Sequence, residues 1–215
     1  MLNNSLDEKK NFLVNAFGVR DSGGLTILRK TLNELKNETN HEFHIFTFEG
    51  SYLSNMLDEY YHYNHFHFHK TYNKSSIYRL CFENLYLPFF CKKKHISLIY
   101  NLTGTSQFLS HIPILVKIQN LLFFSRELDL IYFEKKKWLL WIRQVWIKRL
   151  IISLMLRYSR HIEIQSGHVR DELSNFINTK NKIFYLKNDI DVASNKTYTK
   201  NYKFKNPIIF LFISG

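Results

Sequence analysis

The chain is predicted to be an α/β protein with a parallel sheet flanked by helices, on three observations. Phe12, Leu13, Val14, Ala16 and Phe17 form a nearly continuous apolar run, broken only by Asn15. Such a run suits a strand buried on both faces of a parallel sheet. Leu25, Leu28, Leu32 and Leu35 then recur with the period of a helix, opposite Arg29, Lys30, Asn33, Glu34 and Lys36. The same succession of apolar run, polar turn and amphipathic segment returns along the chain to about residue 188.

Between the first strand and its helix lies Gly18-Val-Arg-Asp-Ser-Gly-Gly24. Glycines there let the backbone turn sharply and bring bare N–H groups at a helix start close to a phosphate or carboxylate. The spacing is neither GxGxxG nor GxxxxGK[ST], so Gly23 and Gly24 read equally as plain turn residues. A second strand is expected at Glu42–Phe48. From Tyr60 to Lys70 the pattern YYHYNHFHFHK places His65, His67 and His69 on one side of a strand and Phe66 and Phe68 on the other. Three histidines so spaced can ligate a metal, yet no carboxylate or cysteine shares their local register, and no metal site is assigned.

Residues 75–90 have helical character, with Ile77, Leu80, Cys81, Leu85 and Leu87 toward one side and Pro88 near the end. HISLIY, residues 95–100, is a strand opening into the polar loop Asn101-Leu-Thr-Gly-Thr105. Thr103 therefore falls at a strand's C-terminal end, where open α/β sheets place ligands. Ile114–Ile118 is a further strand, running directly into Gln119 and Asn120. Ile162–Ile164 is short and stops at Gln165-Ser166. Ser166 is placed as the N-cap of a helix over 167–177, whose Asp171 and Glu172 suit the helix dipole. Lys182–Leu186 is a strand, residues 189–206 read as a polar connection, and Pro207–Gly215 as the first strand of a second domain that the chain does not contain.

Composition narrows the class. The chain has 215 residues, 45% of them hydrophobic, with 19 Phe, 13 Tyr, 7 Gly and 3 Pro, which excludes a disordered chain. The formal net charge is +12, and residues 135–160 alone hold eight basic residues and no acid. All three tryptophans, Trp138, Trp141 and Trp146, lie in the same segment. A basic helix rich in Trp, Leu and Ile suits an anionic membrane surface, with Lys135, Lys136, Lys137, Trp138, Trp141, Arg143, Lys148 and Arg149 as contacts. A core helix with a solvated basic edge is the equal alternative. A spanning helix is disfavoured, since Arg143, Lys148 and Arg149 would sit inside the window at about 2.5–3.5 kcal/mol each. Nucleic acid is not expected as a partner, because the basic residues interleave with the aliphatic run ISLML and not with polar and glycine residues. Cys81 and Cys91 read as reduced, buried thiols, and MLNNSLDEKK lacks a signal-peptide core, which suggests a cytoplasmic location.

The paired Gly23-Gly24 after the first strand, the LVKIQN segment ending at Asn120, the step from Ile162 through Ser166 to Leu173, and the closing FLFISG together resemble the N-terminal half of family 4, GT-B fold glycosyltransferases. The resemblance implies a Rossmann-like acceptor-side domain over 1–188. It also implies a nucleotide-sugar donor without further cofactor, a lipid-linked or cell-surface glycan acceptor in polysaccharide biosynthesis, and a peripheral position on the inner face of the cytoplasmic membrane. It would place Gly23 and Gly24 in the interdomain cleft, Gln119 where many members carry a histidine near the sugar, and Ser166 at the base of a cleft-facing helix. Gln119 can hydrogen-bond a hydroxyl but cannot exchange a proton as histidine does. The family's donor-gripping glutamates have no counterpart here, since Glu34 and Glu42 copy only their spacing. Two readings follow: a transferase half that is inactive by itself, or a truncated remnant or binding subunit completed by a separate donor-binding chain.

Overall fold

The computed structural model describes residues 9–19, 22–48, 50–71, 75–108, 110–118, 124 and 126–186. The expected connection at 189–206, the expected strand at 207–215, and Gln119 and Asn120 lie outside the described residues. Strand β1 (Asn11–Ala16) is followed by α1 (Ser22–Leu35), β2 (Glu42–Phe48), α2 (Ser51–Asp58) and β3 (Phe66–Thr71). A long helix comes next, made of α3 (Ser76–Cys81), a π-turn (Phe82–Tyr86) and α4 (Leu87–Lys93). Then come β4 (Ile96–Asn101), β5 (Ile114–Ile118), α5 (Arg126–Glu134), and a second interrupted helix: α6 (Trp138–Trp141), a π-turn (Ile142–Trp146) and α7 (Ile147–Tyr158). β6 (His161–Ile164), α8 (Gly167–Ser174) and β7 (Ile183–Leu186) complete the described chain.

The strands form one parallel sheet in the order β3-β2-β1-β4-β5-β6-β7. Helices cover both faces, which is the Rossmann-like architecture expected. Alternation along β1 explains the division. Phe12, Val14 and Ala16 point to one face and meet Leu28, Leu32 and Leu35 of α1 and Leu53, Met56 and Leu57 of α2. Leu13 points to the other, with Phe46, Ile99, Val116 and Ile162, under Leu87 and Phe90 of α4, Leu156 of α7 and Leu173 of α8. Both faces are covered, so the strands are largely apolar, with Asn15, His44, Asn101, Lys117 and Glu163 as buried polar exceptions.

Several expectations are corrected. Helix α2 went unread, because Ser51–Asp58 is short and half polar. The side of the 76–93 helix facing the sheet carries Glu83, Leu87, Phe90 and Cys91, whereas Leu80, Cys81 and Leu85 are exposed. The π-turn inserts an extra residue per turn and rotates the buried stripe away from the regular period. Cys81 is thus exposed and Cys91 buried, both as free thiols. Burial pushes the Cys91 thiol up to about 12. His67 and His69 do oppose Phe66, but His65 precedes the strand and is buried against Phe43 and Phe66.

Candidate functional site

In this strand order the chain leaves β1 toward β2 and leaves β4 toward β5, so the connections diverge at the C-terminal ends of β1 and β4. A crevice at such a divergence is the usual ligand position of an open parallel sheet. Two asparagines mark it. Asn15 and Asn101 are in register and fully buried, where an apolar pair would otherwise serve the core. Asn15 Nδ2 donates to Asn101 Oδ1 (2.9 Å) and to Glu83 Oε1 (2.9 Å), and Asn101 Nδ2 donates to Gln107 Oε1 (3.2 Å). Asn15 Oδ1 accepts from the Phe17 N–H at 3.2 Å, shaping the turn that leaves β1.

Glu83 is the carboxylate of this chain of bonds, 2% exposed and one helical turn from Arg79. Arg79 Nε donates to Glu83 Oε1 at 3.0 Å, while its Nη2 donates to Thr103 Oγ1 (2.6 Å) and Thr105 Oγ1 (2.7 Å). Gly104 lies between these threonines at φ +70°, a conformation that glycine adopts without strain and that allows the tight turn. The guanidinium also lies across Gly18. A Cβ there would stand 2.4 Å from Arg79 Nη1 and 3.0 Å from Thr103 Cγ2. A cation is therefore fixed at the strand ends by a buried carboxylate, two hydroxyls and a bare glycine. With its charge paired to Glu83 and its Nε and Nη2 bonded within the protein, Arg79 keeps Nη1, over Gly18, as the nitrogen that could donate to a phosphate or carboxylate.

The expected site residues fall unevenly around this cluster. Thr103 belongs to it. Gly23 and Gly24 lie inside the first turn of α1, Gly23 exposed and Gly24 buried, and the close backbone approach is made by Gly18 instead. Ser166 occupies the N-cap of α8 with an extended backbone, but its exposed hydroxyl makes no capping bond. Asp171 and Glu172 come after the first turn of α8, too far along for a strong dipole effect. Arg79, Glu83 and Gln107 were not foreseen. The available signals were an Arg–Glu pair at i, i+4 within an apolar helix and the lone Asn15 inside an apolar strand.

The basic segment forms a helical hairpin with α5. Trp141 Nε1 donates to Asp129 Oδ1 (2.6 Å), and Arg149 grips the same carboxylate with both terminal nitrogens at 3.0 Å. Burial pulls the Asp129 carboxyl upward, but these bonds outweigh it and hold it below the ordinary carboxylate value. Arg149 is buried and also lies over the Phe176 ring, so Trp141 and Arg149 face inward rather than outward as expected. Lys135, Lys136, Lys137, Trp138, Arg143 and Lys148 are exposed, beside exposed Leu130, Phe133, Leu139 and Trp146. Among the described residues no helix is long and apolar enough to cross a membrane.

A third polar group sits on the edge of the sheet. His67 meets Glu42, which no local pattern suggested, and His44 Nδ1 lies 3.2 Å from His69 Nε2. Burial, then the neighbouring His67 and His69, lowers His44 to about 4.

No family model and no curated protein matches this sequence. Among solved structures, the crystal structure of a glycosyltransferase from Rickettsia africae ESF-5 is similar at 12% sequence identity and a TM-score of 0.47. The match covers 83% of this chain and 43% of that one, so the chain spans less than half of that protein's length.

Proposed function

We infer that this chain is the acceptor-side domain of a sugar transferase that moves a sugar from a nucleotide-sugar to a lipid-linked or cell-surface glycan. The observation that carries the reading is the Arg79–Glu83 clamp beneath Gly18, at the C-terminal ends of β1 and β4. Loss of a nucleoside diphosphate leaves negative charge and an electron-poor sugar, and a fixed cation at a cleft wall stabilises the former. Gly23, Gly24, Gln119 and Ser166 are assigned to the cleft by the family resemblance, and Thr103 and Asn120 by their place at the C-terminal ends of expected strands. Donor binding is assigned to a second domain, on the same or a separate polypeptide, and these residues alone are expected to be inactive. The exposed Trp138, Trp146 and lysines of the α5–α7 hairpin support a seat on an anionic membrane, where a lipid-linked acceptor would be presented.

The test uses the gene product at its native length, purified from its own cell. It is supplied with a panel of labelled nucleotide-sugars and the lipid extract of the same cells. Label entering the lipid-linked fraction from at least one donor is the expected result. No incorporation from any donor by a folded product, with a proven acceptor fraction, would overturn the reading in favour of a binding subunit.

A further inference from the structure

A basic concavity of about 550 Å³ opens beside the C-terminal end of α7. Its volume lies in the range of about 300–1,000 Å³ that holds a small ligand. Arg160 immediately precedes β6 and Lys182 immediately precedes β7, so the concavity lies at the N-terminal ends of these strands. The Arg79 clamp is at the C-terminal ends of β1 and β4, toward the opposite end of the same parallel sheet. Arg157, Arg160, Lys180 and Lys182 line the concavity together with Tyr158, and no acidic side chain is among the described lining residues.

Lys182 has a structural task there. Its ammonium donates to the carbonyls of Leu156, Arg157 and Ser159 at 2.6, 2.7 and 2.7 Å. These carbonyls end α7 and form the negative pole of the helix, which would otherwise repel an anion. With that pole covered, Arg157, Arg160 and Lys180 set the charge of the opening. Each is exposed, and among the described residues none of them has a carboxylate partner. Like charges gathered in one concavity repel one another, and a ligand with several negative oxygens relieves that repulsion. Tyr158 is 63% exposed and is held edge-to-face against Phe108, with ring centroids 5.9 Å apart.

Charge complementarity selects the ligand. The phosphodiester of a membrane lipid brings one charge at one phosphate, whereas a di- or triphosphate brings several along a chain that reaches more than one cation. We propose that this concavity binds an oligophosphate, a di- or triphosphate group held between Arg157, Arg160 and Lys180. The two guanidinium groups can each take a pair of phosphate oxygens, and the ammonium acts as a point charge. The assignment is independent of the transferase reading, since no residue of the Arg79 clamp takes part.

The test is calorimetric titration of the purified full chain with inorganic tripolyphosphate at low ionic strength. Saturable binding at one site is expected, weakening as salt rises. Arg157→Ala, Arg160→Ala and Lys180→Ala should each raise Kd about tenfold, the loss of one charge-assisted contact. The urea midpoint should hold, because these side chains are exposed. Alanines at Lys92, Lys93 and Lys94 together, which remove as much charge as the three substitutions combined, should leave Kd within about twofold. ATP is expected to bind at least as tightly as tripolyphosphate. An advantage for ATP that Tyr158→Ala abolishes would sustain the proposal with a nucleotide as the source, and equal affinity would sustain it for the phosphates alone. Equal weakening by the two triple variants would overturn it, because the net charge of +12 would then be attracting the anion. Orthophosphate bound as tightly as tripolyphosphate would overturn it too, as would phosphatidylglycerol vesicles binding through these residues while tripolyphosphate does not.

Discussion

Arg79 is held by a carboxylate and two hydroxyls, with its guanidinium against the side of Gly18 where a Cβ would stand. Gly18→Ala must move either the turn or the guanidinium, and a crowded site of this kind costs about 1–3 kcal/mol. The loss would be read as a lower urea midpoint. If the account is right, Arg79→Ala makes the second change nearly free, so the double variant is less destabilised than the sum of the two singles. Additive losses would show that the close approach is not the cause. Histidine supplies a second residue-scale expectation. His44 is lowered to about 4 by burial, His67, His69 and Lys94, with Glu42 opposing. A base depressed on folding binds its proton more readily when unfolded, so stability is fully present above about pH 6.5 and falls as the pH drops toward 4. His41, His69 and His161 are lowered too and add to the slope. His44→Phe, which keeps a ring against Phe90, should flatten the fall of thermal midpoint between pH 7.5 and 5. An unchanged slope would reject His44 as a contributor. Little of this was legible beforehand, because Asn15, Glu83 and Asn101 meet only through the sheet, across 68 and 86 residues of sequence.

Elements were read where their pattern was regular and missed where it was not. Glu42–Phe48 and Ile114–Ile118 have the very bounds expected, since an apolar run between polar turns has few other uses. The π-turns at Phe82–Tyr86 and Ile142–Trp146 had no such signature, and each rotates which side chains face the sheet. That rotation turns Arg149 inward to Asp129 and leaves Trp138 and Trp146 outside. A hairpin built this way should bind vesicles containing anionic lipid, with a blue shift of tryptophan emission, and release them as salt rises. Trp138→Ala combined with glutamates at Lys135, Lys136 and Lys137 is expected to abolish the binding without lowering the thermal midpoint. Binding that ignores both the substitutions and the salt would show that another surface meets the membrane.

At the scale of the molecule, the parallel sheet in the order β3-β2-β1-β4-β5-β6-β7 puts the site where it is, since only the ends of β1 and β4 border a divergence of connections. The alternating apolar runs and amphipathic segments made that architecture readable from sequence. The clamp was not readable, because its donors and acceptors come from three separate stretches, 15–18, 79–83 and 101–107, that only the completed fold assembles. The glycine that matters is Gly18, whose role depends on a side chain 61 positions away, and not the more conspicuous Gly23-Gly24 pair. The most direct test is therefore the rate of sugar transfer by the native-length gene product with Arg79→Ala, measured beside its urea midpoint. The account predicts a fall in kcat/KM of at least tenfold, about 1.4 kcal/mol of lost stabilisation, in a variant that still unfolds cooperatively. Undiminished transfer by that folded variant would contradict the placement of the site at the ends of β1 and β4.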